Sequence, residues 1–97
     1  MSTTKDYCNF ILEQLRDLAD IDFRPMMGEY LLYYRGVLFG GIYDNRLLVK
    51  KTNTNAIFNL PEAVPYEKAK PMYQIEDLDD CEKMKTVILA TYQGLIK

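Results

Sequence analysis

Few residues in this chain have the type and spacing to do chemistry. There is no histidine, so the commonest general base and the commonest transition-metal ligand are both missing. Arg24 and Lys50 flank a tyrosine-rich middle, and they form a candidate anion contact if neighbouring strand ends bring them together. The plainer use is surface neutralisation by Asp22, Glu29 or Asp44, in exposed pairs each contributing about 0–1 kcal/mol. Cys8 and Cys81 each fall in the first turns of an expected helix, where the dipole lowers a thiol pKa and would suit a redox sensor. Apolar packing is the simpler role, with Cys81 in line with Met84 and Ile88. Glu76, Asp77, Asp79 and Asp80 make an acidic run, but it lacks the turn glycine and later bidentate glutamate of a calcium loop. Arg46, Lys50, Lys51, Lys68 and Lys70 could form a basic strip for nucleic acid. Edge lysines that discourage strand-to-strand aggregation explain them better. A nucleophile elbow, a phosphate loop and a paired-carboxylate site are all missing from the sequence, so no catalytic residue, metal or cofactor is expected.

The elements that would position these residues come from a chain of 97 residues, the size of one domain over 1–97. Hydrophobic content of 48% and charged content of 27% are ordinary for globular proteins, which argues against disorder and against a membrane class. The net charge of −2 gives no electrostatic footprint for nucleic acid. Two cysteines are too few for a disulfide framework, and the N-terminal MSTTKDYCNF has charges where a signal peptide needs its apolar run. A cytoplasmic, reducing setting is the expectation.

Tyr7, Phe10, Ile11, Leu15 and Leu18 recur at helical spacing, which predicts an N-terminal helix capped from Ser2, Thr3 or Thr4 and ending near Ala19-Asp20. From Ile21 the pattern changes to short runs rich in Tyr, Leu, Val and Phe, separated by turn residues at Gly28, Arg35-Gly36 and Asp44-Asn45. This predicts an antiparallel meander over Ile21–Met27, Glu29–Tyr34, Val37–Tyr43 and Arg46–Lys51. Pro25 puts the first strand at an edge or a bulge, and Gly40-Gly41 marks a bulge or a close approach. A short helix within Thr52–Leu60, a loop over Pro61–Lys70 and a strand over Pro71–Glu76 follow. The last element is a helix from Asp79, with Glu82 completing a capping box and Cys81, Met84, Val87, Ile88, Thr91 and Leu95 along one side. In the second run, Tyr30, Leu32 and Tyr34 share one face while Leu31 and Tyr33 share the other, so both faces carry apolar side chains. That surplus implies a second cover or an interface, and Tyr30, Tyr33, Tyr34 and Tyr43 form the candidate partner surface.

Arg24-Pro25-Met26-Met27-Gly28, followed by Leu32-Tyr33, Gly36, Phe39 and a strand ending in Lys50, resembles the TfoX N-terminal domain family, named for a bacterial competence regulator. Pro65-Tyr66, Lys70-Pro71-Met72 and the final helix at Asp79 fall where that family has them, so the likeness covers nearly the whole chain. It implies a two-layer α+β domain resembling the type III secretion chaperones, an antiparallel sheet of about five strands covered by N- and C-terminal helices. It also implies a bacterial regulatory setting with no catalytic residue to carry over. In the full-length regulators a helical domain follows, so a stand-alone module is expected here. The function expected is a non-catalytic regulatory module that contacts another protein, with a homodimer as one form of that contact. A nucleic-acid-binding accessory factor is the alternative, and a small-molecule binder or enzyme ranks last.

Overall fold

The computed structural model describes residues 3–96. Helix α1 (Lys5–Gln14) starts at Thr4, whose hydroxyl accepts from the Tyr7 amide, and Asp6 adds negative charge to its first turn. It ends earlier than its periodicity predicts, because the chain tightens into i→i−3 turns at Leu15 and Leu18. Both leucines stay buried, so the apolar stripe outlasts the helix.

Strands β1 (Ile21–Met26), β2 (Glu29–Tyr34), β3 (Val37–Ile42) and β4 (Leu47–Val49) form the meander. Its three connections are two-residue turns with positive φ at both positions: Met27-Gly28, Arg35-Gly36 and Asp44-Asn45. These left-handed pairs match the right-handed twist of the strands they join. After a 3-10 turn at Ala56–Phe58 comes β5 (Glu62–Ala63), a strand where the sequence predicts loop. With β6 (Met72–Ile75) the sheet has six strands, one more than expected, in the order β1-β2-β3-β4-β6-β5 with every pair antiparallel. Helix α2 (Cys81–Leu95) is capped by Asp80, whose carboxylate accepts from the Lys83 amide at 3.0 Å, so the cap sits one residue later than predicted.

Both helices cover the same face of the sheet. Ile11 and Leu15 from the N-terminal segment meet Leu32, Phe39, Ile42, Leu47, Val49 and Ile75 from the strands and Met84, Val87 and Ile88 from α2. Burying a side chain of this kind contributes about 1.5–3 kcal/mol. The β2–β3 ladder shifts register at Leu32/Tyr33, placing the extra residue at Phe39 and making the bulge that Gly40 signals. A Cβ on Gly40 would stand 2.8 Å from the Val49 Cα and closer still to the Leu48 carbonyl oxygen, so only glycine fits there. The two-layer α+β architecture is as expected.

Candidate functional site

Strand alternation sends Leu31, Tyr33, Leu38 and Leu48 to the face that neither helix covers. The chain between β4 and β6 partly roofs that face. Arg46 holds this connection: its Nη2 donates to the Val64 carbonyl at 3.1 Å and its Nε to the Tyr43 carbonyl at 3.1 Å. The Tyr66 ring then lies 6.2 Å from the Tyr43 ring, between centroids. What remains open is a groove of about 760 Å³, lined by Met26, Leu31, Leu38 and Met72 from the strands and by Tyr66 and Pro71 from the connection. Its size is that of a ligand site, and its lining is largely apolar.

The charge along the groove is of one sign. Lys50, Lys51 and Lys70 line it, and no carboxylate does among the described residues. Lys51 is neutralised by Glu62 at 3.0 Å and lies 5.3 Å from the Tyr73 ring centroid, so it belongs to the far rim. Lys50 and Lys70 have no salt bridge among the described residues. At the other end Tyr43 is buried, and burial, followed by the proximity of Tyr66, Glu29 and Tyr33, pushes its hydroxyl pKa up. Tyr43 therefore stays a neutral phenol to well above physiological pH.

The sequence-derived candidates divide between the two faces. Tyr34 packs on the helix side, its ring edge-on to Tyr92 at 4.9 Å, and Tyr30 shares that side with Phe23 at 6.0 Å. Tyr33 and Tyr43 lie on the open side, with the Arg24 guanidinium 5.4 Å from the Tyr33 ring centroid. The four tyrosines therefore do not form one surface, because Tyr30 and Tyr34 differ from Tyr33 by an odd number of residues on one strand. Arg24 and Lys50 face the same side but lie on β1 and at the end of β4, three strand spacings or about 14 Å apart. They do not converge at neighbouring strand ends. Lys50 lines a groove with Lys70 instead, an arrangement made by the fold of the β4–β6 connection.

Residues 13–93 match the TfoX N-terminal domain family. The chain belongs to that family. It is also similar to a protein of Spirochaeta aurantia described as an uncharacterized 12.7 kDa protein in the trpE 5′ region, with 32% identity over 98 residues, covering 98% of this chain and 85% of the relative. The expected resemblance is thus borne out at the level of family and fold.

Two polar clusters hold this TfoX N-terminal domain together, and no local spacing in the sequence marks either of them. Asn55 is fully buried: its Oδ1 accepts from the Thr52 amide at 2.9 Å, and its Nδ2 donates to the Lys50 carbonyl and to Thr91 Oγ1, each at 2.8 Å. Thr91 in turn donates to the Val87 carbonyl at 2.8 Å. Lys50 is therefore anchored through its backbone to α2, which fixes where its side chain leaves the sheet. At the other end Thr3 Oγ1 donates to Glu29 Oε1 at 2.7 Å, and the same carboxylate oxygen accepts from the Asp44 amide at 2.9 Å. This clasp ties the N-terminal segment to the β3–β4 turn next to Tyr43. Cys8 is buried, and burial raises its thiol pKa, which is the opposite of what a redox sensor needs. Among the described residues, no group of three or more His, Cys, Asp or Glu side chains converges to hold a metal, and no helix is long and apolar enough to cross a membrane.

Proposed function

We propose that this domain is a non-catalytic regulatory module of the cytoplasm, which docks a protein partner on the helix-free face of its sheet. One observation carries the reading: an apolar groove lined by two lysines that make no salt bridge among the described residues lies on the face that the helices leave open. Monomeric proteins seldom expose such a face without a use for it. The absence of histidine from the sequence argues in the same direction, because the commonest acid–base group is missing. Two free cysteines, one of them buried, fit a reducing compartment.

The β1 edge of the sheet is a poor route to a homodimer. The Arg35 amide donates to the Asp20 carbonyl, which sets the parity of the β1–β2 ladder and turns the amides of Ile21 and Phe23 outward. Asp22 Oδ1 already accepts from the Phe23 amide at 2.8 Å, and Pro25, next on that edge, has no amide hydrogen. The open face is the better candidate for self-association than this edge. Nucleic acid fits that face less well. Tyr43 is packed and buried and Tyr33 already carries Arg24, so neither presents a ring for base stacking.

The test is photo-crosslinking in the host, with a photoreactive side chain placed at Leu38 in the groove or at Glu13 on the outer side of α1. Adducts with one protein from position 38 and not from position 13 support the reading. Adducts only from position 13, or with nucleic acid alone, would sink it. A self-adduct from position 38, matched by concentration-dependent light scattering, identifies the partner as a second copy.

A further inference from the structure

The groove is asymmetric, and the asymmetry says what it takes. From Leu38 to Tyr43 it runs along the strands, a span of roughly 15 Å, or about four to five residues of extended peptide. At the Leu38 end stands Lys50, its amide on the Phe39 carbonyl, and Lys70 lines the same groove; neither has a carboxylate partner among the described residues. At the other end stand Tyr43, Tyr66 and Met26, with no charged lining residue beside them. The Asn55 cluster holds the Lys50 backbone, which fixes where this side chain leaves the sheet. The other acids of that sheet face are committed: Asp22 accepts from the Phe23 amide on β1, and Glu29, near Tyr43, accepts from Thr3 and from the Asp44 amide.

We infer that the groove receives an extended acidic–apolar peptide segment, its Asp or Glu side chain against Lys50 and Lys70 and its Phe, Leu or Met side chain over Leu31 and beside Tyr43. This deepens the proposed protein docking and rests on it. The apolar anchor supplies affinity by leaving water. The lysine pair fixes the direction of the chain and excludes basic segments, since like charges brought together at such a contact are repelled.

The experiment is selection of random peptides displayed on phage against the intact chain, followed by fluorescence polarisation with the recovered peptides. Recovered sequences are expected to pair an acidic residue with a bulky apolar one a few positions away. Their affinity should fall about tenfold or more in Lys50→Glu/Lys70→Glu, the loss typical of a reversed charge at a partly desolvated contact. It should stay unchanged in Lys83→Glu on α2, and it should weaken with added salt. Because Lys70 is exposed, Lys70→Glu alone serves as a variant whose folding is not at risk, checked by circular dichroism. Recovery of basic or wholly polar sequences, or affinity indifferent to Lys70→Glu, would overturn the inference, as would competition by oligothymidylate with no peptide enriched. A groove crosslink from Leu38 to a partner segment without acidic residues would overturn this inference alone and leave the docking proposal intact.

Discussion

The Tyr43 ring lies directly on the backbone of Gly41, so that a Cβ at position 41 would come within 2.8 Å of the ring and 2.6 Å of the Tyr30 carbonyl oxygen. The glycine leaves space for the ring, and the ring closes one end of the groove. Gly41→Ala should therefore destabilise the fold by about 1–3 kcal/mol, the usual range for overpacking, because a backbone atom on one side cannot yield. Urea unfolding reads the loss. A variant as stable as the parent would mean that β3 and Tyr43 shift freely, and the rigid end wall would have to be abandoned.

Asn55 should be the most sensitive polar position. Asn55→Ala removes one acceptor and two donors from a fully buried site and strands the Thr52 amide and the Lys50 carbonyl. A loss of about 3 kcal/mol is expected. Thr91→Val should cost about 1 kcal/mol, since Asn55 keeps its bond to the Lys50 carbonyl. Denaturation of the two variants side by side checks the order, and equal losses would refute it.

Alkaline pH should loosen the domain in two stages. Burial raises the pKa of Cys8, Tyr7 and Tyr43 in the folded chain. Such a group keeps its proton when folded after the unfolded chain has lost it, so stability is full below the unfolded pKa and falls as pH rises toward the folded one. The decline should begin near pH ~8.5 for Cys8 and near pH ~10 for the tyrosines. Urea midpoints across this range report it, and Cys8→Ala should remove the first stage. A parent profile that stays level throughout would contradict the burial of these groups.

The β1 edge should remain unpaired in solution until its guards are removed. Asp22→Ala with Pro25→Val leaves the Phe23 amide unsatisfied and adds a third outward donor beside those of Ile21 and Phe23. The double variant is expected to self-associate with concentration while the parent's behaviour at that edge does not change. Light scattering compares them. If the double variant behaves as the parent does, these two residues do not protect the edge.

Much of the fold was written in local chemistry. Gly28, Arg35-Gly36 and Asp44-Asn45 marked three turns whose left-handed backbone few other residues adopt without strain, and Pro25 marked an edge because it cannot donate. Period-two alternation assigned Tyr30 and Tyr34 to one face and Tyr33 to the other, which already divided the tyrosine set. Ends were less legible. Leu15 and Leu18 keep the helical apolar spacing after α1 has given way to tighter turns, and adjacent aspartates at 79 and 80 are equal as caps until geometry chooses Asp80. The strand β5 has only two residues, too few for a pattern, and exists because β6 lies beside it.

The sequence by itself determined the meander, the two amphipathic helices and the shortage of reactive groups, because each depends on neighbours within a few residues. The tertiary structure alone decided which charges meet. Arg24 and Lys50 look alike along the chain, yet strand order separates them by two intervening strands. Lys50 and Lys70 come together at one groove because a connection of some twenty residues folds back over the sheet, held by Arg46 and by the buried Asn55. Such long-range contacts reflect how the whole core closes, and no local spacing encodes them.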